Sequence, residues 1–306
     1  PIQLNDHQWE DYYLQVKLYD GNNLVQTFPL LLENHYAHSG TIKLHSLKPN
    51  TQYWVKINDQ FQLKDDSITF RTQPLWQYRT DPPVLNIAFG SCAYINDPEF
   101  DRPGKSYGGS EVIFNKIAEK KPDAMLWLGD NVYFREGDWD SEEGMIMRYV
   151  QSRKHPRLDS LLRSVPNYAI WDDHDFGVND GGIENPFKQE AKDAFLEFWR
   201  VPADDVRRRR EGLYHHLTLG PAGQRVQIIL LDTRWFRAPL RITDQRATVA
   251  LDSSMRTRFF LVAAPSRFSS SAMTSLHDSW MLPAPSVITR SPVRAWPSSH
   301  GATSSR

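Results

Sequence analysis

The chain has 306 residues, of which 40% are hydrophobic and 24% are charged, a composition typical of a globular protein of about two domains. Its 36 basic and 37 acidic residues nearly cancel, so the charge does not indicate binding to nucleic acid or to an anionic membrane. No stretch reaches the roughly 18 apolar residues that a transmembrane helix needs. The single cysteine, Cys92, excludes an internal disulfide.

The first 74 residues predict a small all-β domain. Apolar and polar side chains alternate in several short runs that turn residues separate, the period of half-buried strands. These runs are Leu14–Leu18, Thr41–Leu47, Gln52–Ile57 and Ser67–Arg71. The segment from Leu47 to Tyr53, LKPNTQY, resembles the tyrosine corner of fibronectin-like and immunoglobulin-like sandwiches, where the tyrosine hydroxyl ties a turn to a strand. We therefore expect a β-sandwich over 1–74 and a proline-rich linker over 75–84.

From residue 85 to 240 the pattern changes to alternating strands and helices. Short apolar runs predict strands at Leu85–Gly90, Ala124–Gly129, Tyr168–Trp171 and Arg225–Leu231. Helical spacing predicts helices at Ser110–Lys121, Glu142–Arg153 and Pro186–Arg200. Alternation of this kind is typical of an α/β domain with a largely buried central sheet.

The composition changes again near Leu240. Residues 241–306 contain fourteen serines and eight arginines but no Lys, Glu, Asn, Tyr or Cys, and apolar patterning fades. Two interpretations follow: a disordered Ser/Pro/Arg-rich tail, or a segment translated out of frame. We expect the α/β domain of 85–240 to be partial in either case.

Three predicted strands end in side chains that bind metals. These ends are Phe89-Gly90-Ser91-Cys92, Leu128-Gly129-Asp130-Asn131-Val132-Tyr133 and Trp171-Asp172-Asp173-His174-Asp175. Taken singly, each has an ordinary structural interpretation, such as a buried cysteine, a Gly-Asp turn or a solvated acidic loop. Because ligands of open α/β sheets bind outside the carboxyl ends of strands, the three ends together predict one metal site.

The residue types favour phosphoester hydrolysis. Two metal ions about 3.5–4 Å apart can neutralise an anionic phosphorus centre and lower the pKa of a water between them. Asp130 is short enough to bridge two ions, and Gly129 lets the chain approach them closely. A thiolate and a phenolate, from Cys92 and Tyr133, favour ferric iron, whereas an aspartate cluster suits a harder ion. His174 can donate a proton to a leaving alkoxide.

The chain resembles the PhoD-like alkaline phosphatase D family of the metallophosphoesterase superfamily. The resemblance is carried by three motifs that follow a small β domain in this order: FGSC, LGDNVY and WDDHDFGVND. The resemblance implies iron and a second metal, commonly calcium, and a role for each matching position. The implied metal ligands are Cys92, Asp130, Tyr133 and Asp173, with Asp172 a weaker candidate. The implied catalytic residue is His174, and Asn179 is the residue that could reach the substrate phosphate.

The resemblance implies hydrolysis of phosphomonoesters or phosphodiesters by a metal-bound hydroxide. It also implies a small phosphoester substrate and an extracytoplasmic location. One departure is specific: the family's late Gly-Asp-x-His-type ligand segment has no counterpart after Leu240, and neither His277 nor His300 follows a predicted strand. The alternative is therefore a truncated, non-catalytic remnant whose β domain serves as a binding module or spacer.

Overall fold

The computed structural model describes residues 12–32, 40–58, 67–76, 79–81, 83–101, 103–219, 226–239, 241–243, 246–248 and 260–263. The predicted tail at 241–306 therefore lies mostly outside the described residues. Among the helices in the described ranges, none combines the length and apolar character needed to cross a bilayer.

The first four strands form one antiparallel sheet in the order β2-β1-β3-β4. They are β1 (Tyr12–Asp20), β2 (Asn23–Leu32), β3 (Gln52–Asn58) and β4 (Ser67–Arg71). Side chains two residues apart on β1, Val16 and Leu18, are buried on one face, as the alternating pattern predicts. Within 12–76 the described strands make this single sheet, so a second layer of the sandwich stays a prediction.

The predicted strand Thr41–Leu47 is wrong, because the structure has no strand there. The central strand β1 pairs with β2 on one edge and with β3 on the other. Residues 41–47 are not a strand of this sheet, so alternating side chains alone do not make a strand.

The tyrosine corner forms as the LKPNTQY segment predicts. The Lys48 backbone N–H donates to the Tyr53 hydroxyl at 2.9 Å, and Tyr53 is only 2% exposed. Its ring stacks on Phe70 of the neighbouring strand, with ring centroids 5.6 Å apart. The hydroxyl thus fixes the turn before β3 to a buried ring of the same sheet.

The second part of the chain alternates strands and helices, as predicted. It contains β5 (Ile87–Gly90), α1 (Val112–Glu119), β6 (Ala124–Leu128), α2 (Glu142–Arg153), α3 (Pro156–Ser164), β7 (Asn167–Ile170), α4 (Asp173–Phe176) and α5 (Lys188–Phe198). There follow β8 (His215–Leu219), β9 (Val226–Leu230), β10 (Arg241–Thr243), β11 (Arg246–Thr248) and β12 (Phe260–Ala263). Strands β5, β6 and β7 are parallel neighbours, whereas β12, β9 and β8 form an antiparallel sheet and β10 pairs with β11.

Local signals explain most helix boundaries. Helix α2 begins where the Ser141 hydroxyl accepts the Gly144 N–H at 3.1 Å, with two glutamates in its first turn. Helix α1 begins two residues later than predicted, with Glu111 rather than Ser110 at its cap. Helix α3, which the sequence analysis did not predict, begins at Pro156, whose fixed φ favours a first helical position.

One hydrophobic core joins the two sheets of the α/β part. It contains the central strand β6, the inner faces of α2 and α5, and Ile228 and Leu230 of β9. Trp171, at the end of β7, is fully buried and stacks on Trp235 at 6.2 Å with an interplanar angle of 10°. Because Trp171 precedes Asp172, this packing fixes the strand end that carries the acidic cluster.

We expect Tyr53→Phe to lower the free energy of unfolding of the N-terminal sheet by about 1 kcal/mol, because the Lys48 N–H loses its acceptor. Denaturant unfolding monitored by tryptophan fluorescence checks this. Tyr13→Phe is the matched control, since Tyr13 is 66% exposed on β1 and its loss of a hydroxyl should have no measurable effect. Equal effects of both changes would contradict the role assigned to the corner.

Candidate metal centre

The carboxyl ends of β5, β6 and β7 lie side by side, because the three strands are parallel neighbours. Two backbone hydrogen bonds join the first two ends: Cys92 N–H donates to the Gly129 carbonyl at 3.2 Å, and Ala93 N–H donates to the Asp130 carbonyl at 2.8 Å. Cys92 and Asp130 both adopt left-handed φ values, of 60° and 51°. Such values are uncommon outside glycine and concentrate at functional sites.

Gly129 is required at the turn before Asp130. Its φ is +102°, and a Cβ added to it would lie 2.4 Å from the Asp172 Cβ. No side chain fits there, so the glycine lets the ends of β6 and β7 approach. The close approach to metal ions that the sequence suggested for Gly129 stays a prediction.

Asp130 lies at the centre of the cluster and is only 6% exposed. Its Oδ2 accepts hydrogen bonds from the Cys92 thiol at 3.4 Å and the Tyr133 hydroxyl at 3.1 Å. Its Oδ1 accepts the backbone N–H of His174 at 3.2 Å. The structure thus brings together Cys92 and Asp130, which are 38 residues apart in the sequence, as predicted.

Donor atoms of Asp130, Asp173 and His174 all lie within 4.8 Å of one another. The imidazole of His174 also packs on the Tyr133 ring, with centroids 4.3 Å apart. Asp130 therefore has Cys92 and Tyr133 at one carboxylate oxygen, and Asp173 and His174 close by. A bridging carboxylate needs this arrangement, and His174 could serve as a ligand as well as the proton donor that the sequence analysis assigned.

Burial and crowding raise the pKa of three of these groups. Burial, with the charges of Asp173 and Asp172, raises the pKa of the Asp130 carboxyl to about 6. Burial and the Asp130 charge raise the pKa of the Cys92 thiol to about 11, and the same causes raise the pKa of the Tyr133 phenol. A bound metal ion would stabilise the ionised forms of these donors.

Arg234 is a site residue that the sequence analysis did not identify. Its Nε donates to an oxygen of Asp172, and its Nη2 lies 3.5 Å from an oxygen of Asp173. Burial tends to raise the pKa of Asp173, but Arg234 and the Asp180 N–H outweigh it and hold that pKa below its usual value. Asp172, the weaker ligand candidate, is therefore paired with Arg234.

Asp175 binds the backbone of the two strand ends that carry the site. It is fully buried and accepts the backbone N–H groups of Asp172 at 2.6 Å, Asn131 at 3.0 Å and Asp130 at 3.3 Å. The Asn131 amide adds a further bond to Asp175 and another to the Ile170 carbonyl at 2.9 Å. One carboxylate therefore fixes the ends of β6 and β7 relative to each other.

Asn179 does not join this cluster in the structure. Its side chain is exposed, and its amide donates to Asp180 at 3.0 Å. Its proposed contact with a substrate phosphate stays a prediction. His215 and His216 lie on strand β8, and burial is the main cause that lowers the pKa of His215 to about 4.

The family model of PhoD-like phosphatases matches residues 87–261, which is more than half of the chain. The chain belongs to the PhoD-like phosphatase family. The match includes β5 to β11, all of the segment between Leu240 and β12, and the first two residues of β12, so it extends beyond the boundary at which the composition changes. All residues of the candidate metal centre lie within it.

Comparison with solved structures supports the same fold. The structure titled "Structure of PhoD" matches with a TM-score of 0.60 at 19% sequence identity, covering 77% of this PhoD-like chain. The match covers 48% of PhoD, so the chain spans about half the length of that protein. No curated protein sequence matches the chain. The α/β fold predicted from the sequence is confirmed.

We expect Gly129→Ala to destabilise the PhoD-like chain by several kcal/mol. The positive φ alone costs roughly 1–2 kcal/mol for an L side chain, and the contact with Asp172 adds to this. Gly104→Ala is the matched control, because Gly104 has a φ of +100° and no atom within 4 Å of the place that its Cβ would take. If thermal unfolding shows the same loss of stability for both variants, the close approach of the two strand ends does not contribute to the destabilisation by Gly129→Ala.

Proposed function

We propose that the chain hydrolyses small phosphomonoesters or phosphodiesters at the centre formed by Asp130. The observation that supports this most directly is the position of Asp130, with Cys92 and Tyr133 at one oxygen and Asp173 and His174 within 4.8 Å. Membership of the PhoD-like phosphatase family supports the same reaction class.

We propose that Cys92, Tyr133 and Asp130 hold ferric iron. We also propose that Asp130 and Asp173 hold the second metal, a divalent ion such as calcium. The donor set fits: a thiol, a phenol and a carboxylate suit iron, and carboxylate oxygens suit a harder ion. When bound, such ions supply the positive charge that acidifies a water molecule and neutralises phosphate oxygens.

His174 and Arg234 then supply the proton transfer and the charge balance that the reaction needs. The backbone N–H of His174 is fixed on Asp130 and its ring is packed on Tyr133, so the imidazole has a defined position. From there it can donate a proton to the leaving oxygen. Arg234 balances the charge of Asp172 and Asp173, which lowers the repulsion that an approaching phosphate meets.

We infer that strands β1 to β4 form one layer of a fibronectin-like sandwich that acts as a spacer or binding module. The tyrosine corner at Tyr53 supports this inference. If the α/β part binds metal without turning over phosphoesters, this module becomes the main candidate for the chain's function.

We expect Asp130→Asn to lower kcat/KM by more than the roughly 10–100-fold that changes next to a metal shell produce, because a bridging ligand is lost. Hydrolysis of p-nitrophenyl phosphate and bis(p-nitrophenyl) phosphate by the metal-loaded chain, with metal content by mass spectrometry, measures this. Asp159→Asn is the control, since Asp159 pairs with Arg163 one turn along helix α3 and is not part of the metal centre. Wild-type metal content and turnover in Asp130→Asn would refute the assignment.

We expect the iron-loaded chain to show a visible phenolate-to-iron absorption band that Tyr133→Phe removes. Tyr53→Phe, which alters a tyrosine of the N-terminal sheet, should leave the band intact. A band that persists in Tyr133→Phe would remove Tyr133 from the ligand set without affecting the proposed reaction.

A further inference from the structure

A guanidinium links the two loops that carry the proposed iron ligands. Arg135 follows Tyr133 in the loop after β6, and its Nε and Nη2 donate to the two carboxylate oxygens of Asp101 at 2.9 and 3.1 Å. Its Nη2 also donates to the Ile95 carbonyl at 3.1 Å, in the loop that follows Cys92. Its Nη1 donates to the carbonyl of Tyr133 itself.

Tyr94 extends this link to the Tyr133 ring. Its hydroxyl donates to Asp101 at 2.7 Å, and its ring centroid lies 4.5 Å from the guanidinium carbon of Arg135. The rings of Tyr94 and Tyr133 pack with centroids 4.8 Å apart. His174 packs on Tyr133 as well, so the phenol that meets Asp130 contacts two rings.

The link is charged and largely shielded from water. The side chains of Arg135 and Asp101 are 14% and 9% exposed. Burial tends to raise the pKa of Asp101, but the bonds from Arg135, from the Asp97 N–H and from Tyr94 outweigh it and lower that pKa. The carboxylate therefore stays ionised, and a two-bond pair with fixed planar geometry forms, which lysine cannot reproduce.

We propose that Arg135 is a positioning residue for the metal centre: with Asp101 and Tyr94 it holds the Tyr133 phenol at the Asp130 carboxylate. This inference rests on the proposed function. It also gives the loop between Cys92 and Asp101 a role, because that loop meets the metal ligands through Arg135 and Tyr94. Groups that contact metal ligands in this way fix the orientation of those ligands, and removing them typically weakens metal binding.

Arg148 of helix α2 provides a matched control, because its partners lie in the same two loops. It is 8% exposed and pairs with Asp97 at 3.1 Å and with Asp138 at 2.7 Å. Asp138 in turn accepts the Arg135 backbone N–H at 2.7 Å, so both arginines stabilise the same two loops. The guanidinium of Arg148 packs over Phe100 rather than over Tyr94, so it tests a buried ion pair beside these loops whose ring contact is not with Tyr94.

The test compares Arg135→Lys and Arg148→Lys in the full chain loaded with ferric iron. We expect Arg135→Lys to weaken iron binding about 10–100-fold in a chelator competition and to shift or weaken the phenolate band. We expect Arg148→Lys to keep the wild-type iron affinity and the wild-type phenolate band. Tyr94→Phe, which removes only the hydroxyl bond to Asp101, is the milder variant to use if Arg135→Lys does not fold, and should give a smaller change in the same direction.

A double-mutant cycle decides whether Arg135 acts through Tyr133. In the Tyr133→Phe background, Arg135→Lys should add little further loss of iron affinity, because the group that it positions is already absent. Additive losses would overturn the inference, as would unchanged iron binding in Arg135→Lys or equal losses in Arg148→Lys.

The wild-type chain separates failure of this inference from failure of the proposed function. Phosphoester hydrolysis without a phenolate band would leave the proposed reaction standing and overturn the positioning role. Absence of both metal binding and hydrolysis would overturn the two proposals together.

Discussion

The mutual repulsion of buried carboxylates is the constraint around which the α/β part is organised. Asp130, Asp172, Asp173 and Asp175 lie at two adjacent strand ends, and Asp175 is fully buried. Burial and the Asp130 charge raise the pKa of Asp175 well above its usual value, while backbone N–H groups act against the rise. Such a cluster folds only where donors and a cation offset its repulsion, and Arg234 supplies one positive charge.

The backbone at the site shows the same constraint. Cys92, Asp130 and Asp180 all have left-handed φ values, between 51° and 60°, and each is a ligand candidate or donates to one. Left-handed conformations of non-glycine residues are unfavourable, so the surrounding hydrogen bonds must hold them. Three of the seven non-glycine residues with positive φ in the described part of the chain therefore lie where these side chains converge.

The sequence predicted those parts of the site that depend on local motifs. Cys92, Asp130, Tyr133 and the Asp173-His174 pair each follow a short buried strand, so parallel pairing was enough to bring them together. The tyrosine corner was predictable for the same reason, because its donor and acceptor lie five residues apart.

The contacts that escaped prediction join distant segments. Arg234 meets Asp172 across 62 residues, and Arg135 meets Asp101 across 34 residues, with no local pattern that indicates either pair. The strand expected at Thr41–Leu47 was wrong for a related reason: alternation predicts which side chains share a face, but a strand also needs a pairing partner, which the local pattern does not indicate.

Packing of aromatic side chains explains how the long-range ion pair is aligned. Trp171 precedes Asp172, Trp235 follows Arg234, and the two indoles stack at 6.2 Å with nearly parallel planes. The hydrophobic stack and the ion pair therefore join the same two segments one residue apart, so each fixes the geometry of the other. Burial of the indoles supplies the free energy, and the ion pair sets the direction in which Asp172 and Asp173 face Asp130.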